Sequence, residues 1–404
     1  MSVENQYQNW ENNEEIRLFR EYLKIPSVHP DVNYDECVEF LRRQASSLDL
    51  PVEVYEVNPS KPIVIISWEG TDPSATSIIL NSHMDVVPVY PERWTHPPFS
   101  AHMDAEGRIY ARGSQDMKCV GMQFLGAIRA MKRDGVQLRR TLHVTFVPDE
   151  ETGGTLGMKD FVGTERFRAL NCGFAIDEGY ASTDGTFRLC NGERTKRRVY
   201  FHISGTPGHG SLLLKDTAGE KARKLIDKLM DFRKSELKKL EDNPGLSLGE
   251  VTTVNLTMMS GGVQSNVVPP ELMICFDIRV APDIPVEEFE AQLERWCEES
   301  GGGIRLDYGD KDPVVAPTKL DDSNPFWAPF QAALDAMGVQ VRIQTMPGNT
   351  DILFVRALGI PAVGFSPMNN TPVLLHDHDE YLQADVFLRG IEIYRKVFEG
   401  IANV

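Results

Sequence analysis

Five short stretches of this 404-residue chain carry side chains that bind divalent cations or move protons. They are His83-Met84-Asp85, Asp116 in ARGSQDMK, the pair Glu150-Glu151 in PDEETGG, Asp177-Glu178 in DEG, and His376 in LLHDHDE. Two imidazoles with three or more carboxylates suit zinc, less well manganese or cobalt, and not a thiolate site. Asp116, Glu151 and Glu178 bring three negative charges, and a bound hydroxide would bring a fourth. Two divalent cations balance that set, whereas one would leave carboxylates buried and unpaired. A carboxylate bridging two cations, with a water held between them, is the arrangement of two-metal hydrolases. The doubled glutamate then divides the labour: one binds metal and the other takes the proton of the activated water. Singly, each stretch has a plainer reading. An acidic pair before Thr-Gly-Gly can be a solvated turn, Asp116 can cap a helix, and His378 serves as well as His376. Recurrence at successive strand ends is what points to a site.

The elements that must position these residues follow from periodicity. In SIILNSHMDVV the run Ile78 to Leu80 predicts a buried strand, which delivers His83 and Asp85. Residues two apart in a strand face the same side, so the pair suits a metal ligand and the carboxylate that orients it. Helical spacing covers 14–23, 34–48 and 117–132, and strands are predicted at 63–68, 141–147 and 174–176. This alternation predicts an α/β layered sheet with parallel segments, in which ligands gather beyond the carboxyl ends of the strands. From about residue 191 the pattern becomes βαββαβ. Strands fall at 196–204, 249–260, 271–280 and 303–308, and helices at 217–239 and 286–299, the order of a self-standing ferredoxin-like unit. Alternation then returns, with helices at 324–337 and 350–358, a strand at 360–365 and a closing helix at 381–401. The expected organisation is a catalytic domain in two parts, 1–191 and 312–404, with 192–311 inserted.

Composition narrows the function classes. Hydrophobic content of 41% and charged content of 25% are those of a globular protein. A net charge of −17, from 42 basic and 59 acidic residues, argues against nucleic acid as a partner. No stretch has the apolar length of a membrane span, and MSVENQYQNW has no secretory signal pattern. Six cysteines without paired spacing predict reduced thiols and a cytoplasmic protein. Gly245–Gly249 matches G-x-S-x-G, but without the strand before and the helix after that a nucleophile elbow needs. Ser247 is therefore expected to be linker.

The blocks SHMDVVP, ARGSQDMK, PDEETGG, DEG, GTPGHGS and LLHDHDE resemble the dizinc metallopeptidase family of aminoacylase-1, carnosinase, acetylornithine deacetylase and succinyl-diaminopimelate desuccinylase. The resemblance covers essentially the whole chain. WTHPPFSAHMD, RGSQDMKCVGMQ and GFSPMNNTPVLLHDHDEYL are similar to the aminoacylase-1 branch in particular. It implies a zinc-peptidase-like α/β/α catalytic domain with an inserted ferredoxin-like dimerisation domain, and two Zn2+ per subunit. The implied activity is hydrolysis of N-acyl-L-amino acids, with a dipeptidase or N-acetyl amino-acid deacetylase of the same family as the alternative. By position it implies His83, Asp116 as the bridge, Glu151, Glu178 and His376 as ligands, the family's His-x-x-Asp-Glu spacing selecting His376 over His378. Glu150 matches the general base and Asp85 the carboxylate that steadies His83. A homodimer is implied in which His209 of GTPGHGS reaches the partner subunit's site and stabilises the oxyanion. Asn266, Arg279 and Arg356 match substrate-contacting positions. An Arg fork suits a free carboxylate, although Arg279 on its strand suits an internal ion pair equally. Ile352 and Leu353 depart from the family pattern and are expected to line the side-chain pocket.

Overall fold

Alternation along the strands builds the core that carries the site. The computed structural model describes residues 3–404. Ile78 and Leu80 face one apolar cluster and Ile79 the other; Val64 and Ile66 oppose Ile63 and Ile65, and Phe174 and Ile176 oppose Ala175. A sheet buried on both faces in this way must be covered by helices on both. Its eight strands lie in the order Val52–Asn58, Lys61–Trp68, Leu142–Val147, Ser77–His83, Cys172–Asp177, Ala362–Phe365, Phe187–Glu193, Val341–Met346. The four from Leu142–Val147 to Ala362–Phe365 run parallel. Their carboxyl ends, at Val147, His83, Asp177 and Phe365, therefore share one edge of the sheet.

One face is covered by helices Glu14–Leu23, Asp35–Ser47, Lys118–Arg133, Trp327–Ala336 and Ala384–Ile401. The other has a thinner cover of Met158, Phe161, Phe167, Leu170 and helix Ile352–Ala357. The layering is the expected α/β/α. Helix Lys118–Arg133 seats close on the sheet because Gly121 has no side chain: a Cβ there would lie 2.6 Å from the Phe146 ring and 2.7 Å from Ser82 Oγ. Buried Lys118 donates to the Tyr22 and Ile25 carbonyls at 3.3 and 2.7 Å, a cation at the carboxyl end of the first long helix.

By its contacts the chain divides into two compact units. One comprises residues up to Asn191, Thr318–Ile343 and Thr350–Val404; the other is Gly192–Pro317 with Gln344–Asn349. Residues 344–349, expected with the returning catalytic segment, thus group with the inserted unit. That unit has a four-stranded antiparallel sheet in the order Thr253–Gly261, Glu271–Val280, Thr195–Ser204, Ile304–Lys311. Val199, Phe201, Ile203, Phe276 and Ile278 pack on Leu225 and Leu229 of helix Ala218–Asp242 and on Phe289 and Leu293 of helix Val286–Glu299. The predicted βαββαβ order is observed. Thr217 and Glu220 form a capping box at the start of the longer helix.

Two local expectations change, and that for Ser247 holds. The closing helix, expected from 381, begins at Ala384, because Tyr381–Gln383 pairs as a strand with Arg108–Tyr110. Ser247 caps a short turn, its Oγ 2.9 Å from Glu250 Oε2, and takes no catalytic setting. Ile352 is 1% exposed and packs in the core beneath the thin layer, so it does not line a pocket; Leu353 is also buried.

At the amino end of the central sheet, His143 Nδ1 lies 2.8 Å from Ser67 Oγ. Burial, then the charge of Arg166, pushes this imidazole from 6.5 down to about 4. A depressed folded value means that the stability is complete above the unfolded value and is lost as pH falls through the folded one, here from 6.5 towards 4. The loss is at most about 3 kcal/mol. His143→Gln is expected to flatten the acid limb of Tm against pH over that window. Parallel curves for the two proteins would refute it.

Candidate metal and catalytic centre

The parallel strand ends and two turns bring the predicted ligands together. His83 ends its strand, Glu178 follows Asp177, and Glu150-Glu151 sit on a short turn beyond Val147. Asp116 lies just before helix Lys118–Arg133, and His376 precedes strand Tyr381–Gln383. Asp149 and His376 hold positive φ, 63° and 61°. Such backbone strain in non-glycine residues collects at functional sites.

Asp116 is shared. Its Oδ1 is 3.1 Å from His83 Nε2 and its Oδ2 is 3.2 Å from His376 Nε2. Glu178 Oε1 lies 3.7 Å from His83 Nε2, and Glu151 Oε2 lies 3.0 Å from His376 Nε2. His83, Asp116 and Glu178 form one group, and Asp116, Glu151 and His376 another, with ligand atoms in each within 4.8 Å of one another. Glu150 belongs to neither group, with Oε2 3.9 Å from His83 Nε2.

The electrostatics fit cations. Burial, then neighbouring negative charge, pushes the acids of Glu150 and Glu178 well up and that of Glu151 to about 7. Bonds to Asp116 and Glu151 raise His376 to about 10. His83 is also raised: burial opposes its charge, but Asp116 and the surrounding carboxylates outweigh it. Asp116 is held low against its own burial by the two imidazoles. In each case a proton supplies the positive charge that a divalent cation would supply. Glu151 Oε1 is buried with no hydrogen-bond partner among the described residues, a lone pair suited to such a cation.

The surrounding contacts correct one expectation and add residues. The group that orients His83 Nδ1 is the main-chain carbonyl of Asp85, at 2.8 Å, while the Asp85 carboxylate is 3.8 Å away. That carboxylate is taken instead by the amides of Glu150 and Glu151, at 3.3 and 3.1 Å, and by His29 Nε2 at 2.8 Å. Asp116 is set by Glu380, which is fully buried. Glu380 accepts from the amides of Gly113, Gln115 and Asp116 and pairs with Arg112 at 2.7 Å. Both residues stand inside blocks already singled out, ARGSQDMK and LLHDHDE. A buried Glu needing an Arg was the available signal.

The remaining candidates lie elsewhere. His209 and Asn266 are neighbours in the inserted unit: Gly208–His209 pairs with Val267–Val268, Asn266 lies in the turn just before the latter, and Gly210 N donates to Asn266 O at 2.7 Å. Arg279 is in that unit too; its guanidinium binds Asp277 at 2.8 Å and Asn349 at 2.6 Å, an internal ion pair. Arg356 is buried with Nη1 3.5 Å from the Ala362 carbonyl, at the start of its strand. The ligand candidates gather at the opposite, carboxyl ends of the parallel strands.

A mixed α/β sheet whose parallel strand ends, with two turns, collect two histidines and two glutamates around one shared aspartate defines a metal-dependent hydrolase. The chain belongs to peptidase family M20/M25/M40, whose sequence profile matches residues 79–400. It is 48% identical to aminoacylase-1 of Mus musculus over 391 residues, 96% of this chain and 95% of that one. Among solved structures it is similar to the M20 family metallo-carboxypeptidase Sso-CP2 of Sulfolobus solfataricus, with TM-score 0.74, 20% identity and 96% and 99% of the two chains covered. A Bacillus subtilis protein described as a dinuclear metal-binding peptidase of the M20 family superposes with TM-score 0.68 at 17% identity, over 96% and 98%.

Proposed function

We propose that this chain is an aminoacylase, cleaving N-acyl-L-amino acids into a carboxylate and a free L-amino acid. The observation that carries the reading is Asp116 shared between two ligand groups, with Glu150 beside them and outside both. Two zinc ions would be held, one by His83, Asp116 and Glu178, the other by Asp116, Glu151 and His376. When bound, they supply Lewis acidity towards the acyl carbonyl and acidify water.

Glu150 takes the proton of the attacking water and passes it to the leaving nitrogen. Its amide, anchored on the Asp85 carboxylate, fixes where that carboxyl group points. The inserted unit supports a homodimer: edge strand Thr253–Gly261 leaves Met258 and Met259 52% and 62% exposed, and an unpaired apolar strand edge invites a second copy. Exposed His209, with Asn266 beside it, then enters the partner subunit's site to steady the oxyanion and contact substrate. Six free cysteines suit the cytoplasm, and no helix of the described residues is long and apolar enough to cross a membrane.

The test is a kinetic panel of N-acyl amino acids and dipeptides with metal analysis on the same sample. Turnover of dipeptides in preference to N-acyl amino acids would overturn the assignment. His209→Asn is expected to lower kcat about 100- to 1,000-fold. Equal mixing with Glu150→Gln under subunit exchange should then restore about one site in four, each built from the two intact halves. A mixture no more active than its parents would rule out a shared site.

A further inference from the structure

Asp85 is fully buried, and of the three donors on its carboxylate only His29 comes from the amino-terminal part of the chain. A carboxylate only accepts, so His29 Nε2 carries the proton in their 2.8 Å bond. A short backbone ladder delivers the ring. Val28 pairs in parallel with Val86, His29 N donates to Val86 O at 3.1 Å, and Val86 N donates to Ser27 O at 2.8 Å. Ser27 Oγ closes the segment onto Met84 O. Residues 27–29 thus lie alongside 84–86 through one parallel bridge, just beyond His83.

We infer that His29 is a positioning residue: it holds the Asp85 carboxylate against the Glu150 and Glu151 amides and so aims both glutamates. The two amide bonds, at 3.3 and 3.1 Å, are long for charge-assisted hydrogen bonds, and the 2.8 Å bond to His29 is the short one. Without that donor the carboxylate can turn to His83 Nδ1, 3.8 Å away. The turn would lose its anchor, and an anion would displace the neutral carbonyl behind a metal ligand. A third cation is not needed here. His29, Asp85 and Asp149 do bring ligand atoms within 4.8 Å, but Lys61 Nζ already lies 2.6 Å from Asp149, and the Tyr34 hydroxyl donates to it at 2.6 Å.

The inference rests on Glu150 and Glu151 acting as proposed, and its test separates the two. His29→Ala is expected to lower kcat and the affinity of the stripped protein for Zn2+, by calorimetry, about 10- to 100-fold each, with KM little changed. His29→Gln, which returns an N–H donor near the same place, should recover most of both. Wild-type kcat and Zn2+ affinity in His29→Ala would overturn the inference. So would Ala and Gln variants equally impaired with Tm falling in step, which is a folding role, or loss of a third equivalent of Zn2+, which is a metal site. If Glu150→Gln keeps wild-type turnover, the reading of the site fails whatever His29 does.

Discussion

Glu150→Gln is expected to lower kcat about a hundred- to ten-thousand-fold, the range for removing a general base, while both cations stay bound. The residue lies outside both ligand groups, so neutralising it removes no ligand. Glutamine keeps the shape of the side chain and the main-chain amide that donates to Asp85, so the turn keeps its anchor. What it loses is an oxygen able to take a proton. KM should change little, because an interaction used only in the transition state lowers kcat and kcat/KM together. Metal analysis with single-substrate kinetics checks this. Loss of a cation would make Glu150 a ligand, and turnover within about tenfold of wild type would assign the proton transfer to another group.

The fold was legible where hydrophobic period was strong and obscure where it was weak. Ile78–Leu80 and the apolar residues of 141–147 announced buried parallel strands, and the spacing in 117–132 announced the helix behind them. Strands Phe187–Glu193 and Val341–Met346 were not foreseen. VRIQTM is the edge strand, where one flank lacks a neighbour and the pattern relaxes, while FRLCNGE, flanked by a strand on each side, interrupts its apolar residues with Arg188, Asn191 and Glu193. Tyr381–Gln383 was absorbed into the helix after it, because a three-residue strand has too few residues to show a period of its own.

For the site, identity was easier to read than orientation. The residue types and their places at strand ends were enough to gather His83, Asp116, Glu151, Glu178, His376 and Glu150. Which atom of Asp85 faces His83 depends on competition for its carboxylate by the two amides and by His29, 56 residues earlier in sequence. Glu380 and Arg112 likewise act across 268 residues. Contacts at that range leave no local period or spacing, and only the folded geometry resolves them. Arg279 shows the limit from the other side: its type suited a substrate carboxylate, but Asp277, two residues back on the same strand face, takes its fork.

Asp116→Asn is expected to cost more cation binding than any other single change at the centre. Asp116 alone sends one carboxylate oxygen to each group, 3.1 Å from the first imidazole and 3.2 Å from the second. An amide offers one oxygen and no charge, so at least one group loses its anionic bridge and both lose its charge. Breaking a buried charge pair costs about 3–5 kcal/mol, a hundred- to several-thousand-fold in affinity. Glu151→Gln and Glu178→Gln each touch one group, so each should weaken one cation and spare the other. Titration of the stripped variants with Zn2+, by calorimetry, separates the cases: one weakened step for each glutamate variant, two for Asp116→Asn. If Asp116→Asn weakens one step only, the aspartate is a ligand of a single cation. The charge balance of the centre would then rest on Glu150 joining the other group, which the unchanged metal content expected of Glu150→Gln excludes.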